Sequence, residues 1–447
     1  MSFTIDKQTL DDLNIFGKHS RNSVFTLFCQ NRTRGGANLL EEAFRYPLDN
    51  AAEINNRSEK IRFFQEMGID FPYQDNLFDT VEHYLSNTDA RTKVLAENNT
   101  LNRKFRSVMG TENEYEQLHK GVISLIDIIN ASKSFVREIK ENPQHACYEK
   151  EIAAFEKIFR DSVLDWTEKE KNKNRLSYEK TAEYDHILRY EQNSSMRKLL
   201  ELIFYLDVYI SVGKIAKKHG FNFAKASDGT QNELSITGLH HPQLYKPVAN
   251  DIRIDENAHI VFLTGANMAG KSTFMKSLGI AVFLAHVGFP VPAESMSFGV
   301  FNGLYTTINL PDNLNLGYSH FYTEVLRVKK VARDIAQNKK YFVIFDELFR
   351  GTNVKDAYDA TIAITEAFSK KTKSTFIIST HIVEAGEKLA ETCKEMKFLY
   401  LPTTMEEGKA VYTYKLKEGI TADRHGMMII RNEGIVDILS SKKQTKE

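Results

Sequence analysis

Hydrophobic side chains in the first half of the chain recur every three or four residues among charged ones. A stretch near residue 200 shows the pattern with five apolar side chains, namely Leu199, Leu200, Ile203, Leu206 and Ile210. This spacing is typical of an amphipathic helix that buries one face. Residues that break helices are scarce here, because Pro143 is the only proline between Tyr73 and His241. We therefore expect the first half to be mainly α-helical.

The pattern changes near residue 234, where short runs rich in β-branched and aromatic residues alternate with turns that contain glycine or proline. Four such runs stand out, at residues 234–237, 259–264, 342–345 and 375–379. The stretches between them are long enough for crossover helices, and this alternation is typical of an α/β domain with a largely parallel sheet. We therefore expect a helical domain over residues 1–234 and an α/β domain over residues 235–447.

Composition and charge narrow the classes of protein to consider. The 447 residues are 42% hydrophobic and 26% charged, which is typical of a globular protein, and their number suggests two or three domains. Lysine plus arginine and aspartate plus glutamate each total 59, so DNA binding would depend on a local basic surface. The most apolar run, residues 278–293, is shorter than the ~20 residues that cross a bilayer.

The cysteines and the N-terminus bear on the cellular compartment. Cys29, Cys147 and Cys393 have neither the spacing of metal ligands nor that of a redox motif, which favours a reducing environment. The N-terminus lacks the basic start and apolar stretch of a secretory signal. We therefore expect a cytoplasmic protein without a membrane segment.

A glycine-rich loop follows the apolar run at residues 260–263 and precedes a stretch compatible with a helix. This strand, loop and helix context is the one that a phosphate-binding P-loop requires, whereas a glycine turn with an incidental lysine is the simpler alternative. In a P-loop, backbone N–H groups and the positive end of the helix dipole hold the phosphates. Lys271 would neutralise the β and γ phosphates, and the Ser272 hydroxyl would bind Mg²⁺. The sequence thus predicts an ATP site formed by Gly265, Ala266, Asn267, Met268, Ala269, Gly270, Lys271, Ser272 and Thr273.

Two acidic residues and a histidine follow the next predicted buried strands. Asp346 and Glu347 come directly after the apolar run 341–345, and open α/β sheets bind ligands at this carboxyl edge. Asp346 suits a contact to Mg²⁺, and Glu347 suits polarising the attacking water. His381 ends the following strand and could contact the γ phosphate or that water. The alternatives are a solvated acidic turn and a histidine of the core or surface.

These motifs resemble those of the MutS family of DNA mismatch-repair ATPases. Residues 265–273 are similar to the family's Gly-Pro-Asn-Met-Gly-Gly-Lys-Ser-Thr, with Ala266 and Ala269 as departures. Residues 346–353 resemble Asp-Glu-Leu-Gly-Arg-Gly-Thr-Ser, with departures at Phe349 and Asn353. The resemblance implies an ABC-like P-loop ATPase domain of the MutS type that uses ATP and Mg²⁺.

Further segments of the α/β half carry the same resemblance. Ser379-Thr-His381 matches the family's Ala-Thr-His, and residues 319–324 resemble its signature segment Ser-Thr-Phe-Met-Val-Glu, with His320 in place of threonine. The family's signature serine reaches the nucleotide of the other subunit, which implies that Ser319 acts in trans. Val248 occupies the place of the aromatic residue that commonly stacks on adenine.

The helical half is similar to the core or lever domain of the family. Residues 32–40, 47–48 and 54–57 follow its Thr-x-x-Gly-x-x-Leu-Leu, Pro-Leu and Ile-x-x-Arg pattern. Full mismatch sensors of the family carry two further domains before this core, including one whose Phe-x-Glu reads the mispair. We therefore expect a short form that begins with the core domain and lacks the mismatch-recognition and connector domains.

The resemblance implies a homodimeric ATPase that couples ATP binding and hydrolysis to movement of helical levers on mismatched or branched DNA, with other repair proteins as further partners. Two alternatives stay open at this point. One is an ATP-binding scaffold for repair or recombination proteins, and the other is a transporter-type or chromosome-maintenance ATPase of the same superfamily. The second alternative is disfavoured because the sequence lacks a Leu-Ser-Gly-Gly-Gln-like signature and a long heptad coil.

Overall fold

A computed structural model describes residues 3–17, 22–87, 111–160, 162–229, 233–308, 310, 320–406, 409–421 and 438. The chain forms two compact units that share the sequence in alternating segments. The first unit comprises Met1–Leu27, Phe44–Ser58 and Ala216–Glu447, and the second comprises Phe28–Ala43 and Glu59–Ile215. We call them the sheet unit and the helical unit.

This division differs from the one expected from the sequence, which placed a single boundary near residue 235. The first 27 residues, residues 44–58 and residues 216–234 all group with the sheet unit. The periodicity of apolar residues identifies a helix or strand, but it does not identify the element against which that segment packs. For this reason a change of pattern along the chain did not locate the division between the units.

The first half of the chain is mainly helical, as its periodicity predicts. Among its described residues, it is interrupted by the 3₁₀ segments His145–Tyr148 and Ser162–Glu170 and by the π-helical turn His186–Glu191. The elements are β1 (Thr4–Ile5), α1 (Lys7–Asp12), α2 (Val24–Phe28), α3 (Arg34–Arg45), α4 (Ala51–Met67), α5 (Asn76–Ser86), α6 (Thr111–Glu141), α7 (Glu149–Phe159), α8 (Tyr178–Asp185) and α9 (Asn193–His219).

The core of the helical unit forms where the amphipathic pattern predicts it. All five of the apolar residues between 199 and 210 named above are buried in α9. A buried carboxylate in the same helix binds the start of α3, because Asp207 accepts hydrogen bonds from the backbone N–H and the hydroxyl of Thr33 (2.8 and 2.7 Å). This cap satisfies polar groups at the helix end that burial would otherwise leave without partners.

The second half of the chain alternates strands and helices as expected. Its elements are β2 (Asn222–Phe223), β3 (Lys225–Ser227), β4 (Leu234–Leu239), β5 (Asn250–Ile254), β6 (Ile260–Gly265), α10 (Lys271–Val287), β7 (Pro290–Val291), β8 (Ser295–Gly299), β9 (Gly303–Thr307), α11 (His320–Ile335), β10 (Tyr341–Phe345), α12 (Val354–Ser369), β11 (Thr375–Ser379), α13 (Val383–Thr392), β12 (Met396–Leu401), β13 (Thr403–Glu406), β14 (Lys409–Tyr412) and β15 (Lys417–Glu418).

The main sheet of this unit has seven strands in the order β1-β9-β10-β11-β6-β12-β15. All neighbours are parallel except β12 and β15, and the central strands β6, β10 and β11 are buried along their whole length. Three of the four predicted runs belong to this sheet. The run at 234–237 instead forms β4 of a separate four-stranded sheet, β3-β8-β4-β5, in which β4 is antiparallel to β5 and β8.

The register of the parallel strands brings three chain segments to one edge of the main sheet. Phe345 of β10 pairs with Ile378 of β11, and Ser379 pairs with Leu263 of β6. The residues that directly follow β6, β10 and β11 therefore share the carboxyl edge, where ligands bind in open α/β sheets. No helix in the described part of the chain is long and apolar enough to cross a membrane.

Candidate nucleotide site

The loop between β6 and α10 has the backbone geometry of a close-fitting glycine turn. Gly265 and Gly270 have φ of 149° and 101°, and a Cβ atom on them would lie 3.2 Å from the Leu401 carbonyl oxygen and 3.0 Å from the Tyr414 ring. Met268, between them, also has a positive φ of 68°. Helix α10 begins directly after Gly270, so its unpaired N–H groups and its positive dipole end face the loop.

Lys271 projects its ammonium group into this loop. Its side chain is buried, and Nζ donates hydrogen bonds to the carbonyl oxygens of Gly265 (2.7 Å) and Ala266 (3.2 Å). Burial lowers the pKa of Lys271, and the negative charges of Asp346 and Glu347 oppose that shift. A buried ammonium group is most stable next to an anion, which makes this loop suited to holding phosphate.

The two acids after β10 are tied to the neighbouring strands. The backbone N–H of Asp346 donates to the Thr307 carbonyl oxygen of β9 (2.9 Å). On the other side, the Ser379 hydroxyl of β11 donates to Asp346 Oδ1 (2.6 Å) and accepts from the backbone N–H of Glu347 (3.0 Å). No role for Ser379 was predicted from the sequence beyond its place in the Ser-Thr-His segment. The available signal was a hydroxyl at the last position of a buried strand.

Glu347 lies between a histidine and an arginine. His381 Nε2 is 2.6 Å from Glu347 Oε1, and Arg350 Nη1 donates to Glu347 Oε2 (3.2 Å). The hydrogen bond from His381, together with its charge and that of Arg350, lowers the pKa of Glu347 to about 2 despite partial burial. The carboxylate is therefore ionised at neutral pH. The structure brings together the acid and the histidine proposed from sequence and adds Arg350 to them.

The departure at Phe349 has a structural explanation. This residue has a φ of 65°, in the left-handed region that favours glycine and costs other residues about 1–2 kcal/mol. Its ring is buried and meets the Phe321 ring of α11 edge-on, with 5.9 Å between centroids. An aromatic contact of this kind contributes about 0.5–1.5 kcal/mol beyond burial, which offsets much of the backbone strain.

A cavity of about 610 Å³ opens beside the phosphate loop. Besides the loop and Glu347, it is lined by residues of the 239–250 segment and by Tyr414, among them His241, Tyr245 and Val248. Val248 is thus one of the residues that line the cavity. Tyr414 supplies an aromatic ring that the sequence reasoning missed, since it lies more than 140 residues after the loop.

The neighbours of Tyr414 hold its backbone beside the cavity. Asn250 Nδ2 donates to the Tyr414 carbonyl oxygen (2.9 Å), and Asn250 Oδ1 accepts from the backbone N–H of Leu416 (2.8 Å).

Burial is the main cause that lowers the pKa of His241 to about 4, and the nearby Lys276 lowers it further. The cavity is therefore lined by a tyrosine ring and a neutral histidine at physiological pH.

Ser319 and the adjoining residues 311–318 lie outside the described residues, so Ser319 stays a prediction. Helix α11 begins immediately after it. A Cβ atom on Gly351 would lie 2.6 Å from the backbone nitrogen of Phe321, and Glu324 Oε2 accepts from the Gly351 N–H (3.4 Å). The start of α11 therefore packs closely against the loop that carries Asp346 and Glu347.

The oxygen donors at the sheet edge suit a Mg²⁺ ion that is bound jointly by the protein and a nucleotide. In the described part of the chain, no group of three or more His, Cys, Asp or Glu side chains could hold a metal. Mg²⁺ in nucleotide sites commonly takes one or two protein oxygens and completes its shell with phosphate and water. The Ser272 hydroxyl and the Asp346 carboxylate are donors of the required kind.

Comparison with known proteins gives a family match for the sheet unit. Residues 261–446 match the family described as MutS domain V. The chain is also similar to the DNA mismatch repair protein MutS of Staphylococcus epidermidis, with 28% identity over 55% of this chain and 28% of that protein. MutS of Listeria welshimeri is 29% identical over 58% of this chain and 31% of the relative. The matched regions thus span less than a third of the length of these relatives.

Proposed function

This chain belongs to the MutS family, and from that premise we propose that it is a DNA-binding ATPase of DNA repair. In this proposal, ATP binding and hydrolysis at the edge of the main sheet drive a conformational change on mismatched or otherwise structured DNA. The observation that carries the proposal is the convergence of Lys271, Asp346, Glu347 and His381 at the carboxyl ends of three parallel strands, where Lys271 and Glu347 line one cavity.

The phosphates of ATP would bind along residues 265–273. Backbone N–H groups of the loop and of the first turn of α10 would donate to phosphate oxygens, and Lys271 would exchange its carbonyl partners for the β and γ phosphates. Ser272 and Asp346 would hold Mg²⁺, which when bound neutralises charge on the phosphates.

Glu347 would orient the water that attacks the γ phosphate. Its low pKa of about 2 keeps it negative at neutral pH, so it can accept a hydrogen bond from water. Phosphoryl transfer has a loose transition state and gains most from positioning, for which an ionised carboxylate is adequate. His381 would fix the Glu347 carboxylate through their 2.6 Å contact and present its ring to the same water.

The adenine base would occupy the part of the cavity lined by Tyr414. The tyrosine ring offers a face for stacking, and Val248, which lines the same cavity, offers an apolar contact. Valine stands at position 248, where the MutS family commonly has an aromatic residue that stacks on adenine. In this assignment Tyr414 would take over that stacking role.

A homodimer would complete the site through Ser319 in trans. Two exposed apolar side chains near the carboxyl edge support a partner surface, namely Tyr322 at the start of α11 and Val354 at the start of α12, with exposures of 46% and 75%. A contiguous apolar patch marks contacts between proteins, and a homodimer interface here requires these side chains to form part of one.

DNA would bind, at least in part, to the helical unit. The overall charge is balanced, so a local basic surface is required, and the segment at residues 169–175 provides one. Lys169, Lys171, Lys173 and Arg175 are all exposed there, while the one acid among them, Glu170, is buried and paired with Lys173 (2.8 Å). Exposed lysine and arginine side chains bind DNA phosphates without regard to sequence.

Steady-state ATP hydrolysis by the purified chain tests this proposal. Turnover is measured without DNA and then with homoduplex, mismatched and branched DNA at low salt, with Lys271→Ala as the blank. We expect Mg²⁺-dependent turnover that DNA stimulates and that the variant lacks. Turnover that no DNA affects would retain the ATPase and favour a scaffold for other repair proteins. No turnover above the blank under any condition contradicts the proposal.

A further inference from the structure

Ser379 occupies the last position of β11, at the point where the main sheet meets the nucleotide site. Its side chain is completely buried, and β11 lies between β10, which carries the two acids, and β6, which leads into the phosphate loop. Its carbonyl oxygen also accepts a hydrogen bond from the Leu348 backbone N–H (3.2 Å). Ser379 therefore contacts three consecutive residues of the loop after β10.

The hydroxyl group of Ser379 has two different partners. It donates to Asp346 Oδ1 (2.6 Å) and accepts from the Glu347 backbone N–H (3.0 Å). The Asp346 carboxylate needs a hydrogen-bond donor, and the Glu347 backbone N–H needs an acceptor. A hydroxyl is the smallest side-chain group that can be both at once. Alanine, which the MutS pattern has at this position, can be neither.

We infer that Ser379 is a positioning residue that orients the Mg²⁺-binding carboxylate of Asp346 and the backbone of Glu347 together. The inference rests on the proposed function, because it concerns the same nucleotide site. With Oδ1 held by the serine, the Asp346 carboxylate cannot rotate freely. Groups that hold a metal ligand in place are commonly worth 10–100-fold in metal affinity or activity.

The second bond of Ser379 acts on Glu347. This residue has a φ of 54°, a left-handed conformation that turns its N–H toward β11. The Ser379 hydroxyl satisfies that N–H and so stabilises an unfavourable backbone conformation. From this conformation the Glu347 side chain reaches His381, at 2.6 Å. One buried hydroxyl thus fixes the metal carboxylate and the residue that orients water.

The test measures the affinity of a fluorescent ATP analogue in Mg²⁺ and in EDTA, for the full chain and three variants. In the wild-type chain we expect Mg²⁺ to tighten binding. In Ser379→Ala that gain should fall about tenfold, while the affinity in EDTA stays unchanged. Ser379→Thr keeps a hydroxyl and should restore most of the gain, with the melting temperature of each variant recorded beside it.

Ser374→Ala is the matched control. Ser374 is a buried serine at the opposite end of the same strand pair, and its hydroxyl accepts from the Tyr341 backbone N–H (3.1 Å) and donates to the Lys339 carbonyl oxygen (3.4 Å). Its removal should lower the melting temperature to a similar extent but leave the Mg²⁺-dependent gain intact.

Two results overturn the inference alone. One is a wild-type gain in Ser379→Ala, and the other is an equal loss of affinity in Mg²⁺ and in EDTA, as a general loosening of the sheet edge would cause. A wild-type chain that binds no nucleotide, or binds it without a gain from Mg²⁺, instead contradicts the proposed function and the inference with it.

Discussion

Glu347 is the residue on which the proposed hydrolysis depends most directly. We expect Glu347→Gln to bind ATP with nearly unchanged affinity, because Lys271 and the loop are untouched. Glutamine is neutral and cannot accept hydrogen bonds from His381, Arg350 and water as a carboxylate does, so kcat should fall by about 10²–10⁴-fold. Single-turnover hydrolysis together with nucleotide-binding titrations checks both parts.

A distant glutamate provides the control for this substitution. Glu391 pairs with Lys388 on the exposed surface of α13 (2.9 Å), and solvent screening leaves such exposed pairs little effect on stability. Glu391→Gln makes the same chemical change outside the site and should hydrolyse ATP at the wild-type rate. Equal turnover in Glu347→Gln and Glu391→Gln would remove Glu347 from the catalytic role.

Local motifs explain which residues of the site were predictable. The loop at 265–273 and the acids at 346 and 347 follow strands directly, and short-range spacing was sufficient to propose them. Ser379 and Tyr414 reach the site only because segments distant in the sequence meet, whereas Arg350 contacts Glu347 three residues away within one loop. Their roles depend on strand register and backbone φ, which apolar periodicity does not encode.

Helix α11 is the element that connects the site to the N-terminal segment. Asp6 caps α1 by accepting from the Thr9 backbone N–H (3.0 Å), and it forms ion pairs with Arg327 and Lys330 of α11 (2.6 Å for Lys330). The hydrogen bonds from Arg327 and Lys330 and the charge of Arg327 outweigh burial, so the pKa of Asp6 lies well below its usual range. The N-terminal segment therefore restrains the helix that begins next to Ser319.

Asp6→Asn should destabilise the sheet unit. Arg327 is buried and would lose its carboxylate, although the Thr306 carbonyl oxygen would still accept from it (2.7 Å). We expect the free energy of unfolding, measured with urea at neutral pH, to fall by about 3 kcal/mol. This is the low end of the range for breaking a buried ion pair.

The pH dependence of this loss follows from the lowered pKa of Asp6. A depressed folded-state pKa stabilises the protein fully above the unfolded value of about 3.9, and the stabilisation is lost as pH falls below it. The difference between the wild type and Asp6→Asn should therefore shrink toward acid pH. Asp70→Asn, which removes an exposed pair with Lys214, is the control and should cost far less stability. An equal cost for both variants contradicts the anchoring role of Asp6.

At the scale of the whole molecule, the pattern of helix and strand was predictable, whereas the grouping of segments was not. Helices α3, α4 and α9 each begin in one unit and end in the other. Strand β1 joins the main sheet beside β9, about 300 residues later in the sequence. Contacts over such distances depend on the tertiary fold, and local propensity carries no information about them.

The basic segment at residues 169–175 leads to the prediction that DNA affinity is a property of the helical unit. Replacing Lys169, Lys171 and Arg175 by alanine removes three exposed positive charges from a region remote in sequence from the nucleotide loop. We expect weaker binding to every DNA structure and a smaller salt dependence, because each lost phosphate contact lowers the slope of log K against log salt by about 0.9. Fluorescence anisotropy across a salt series measures both quantities.

The control for this variant removes the same number of charges from the sheet unit. Lys370, Lys371 and Lys373 are exposed in the turn after α12, so their replacement by alanine changes the net charge equally. If non-specific attraction to net positive charge dominated, both triple variants would lose the same affinity. If only the change at 370–373 weakened binding, the DNA surface would belong to the sheet unit. Loss of affinity confined to the 169–175 variant, with ATP hydrolysis in the absence of DNA unchanged, would separate DNA binding from the nucleotide site. DNA-stimulated ATP turnover would then measure the coupling between DNA binding and the nucleotide site.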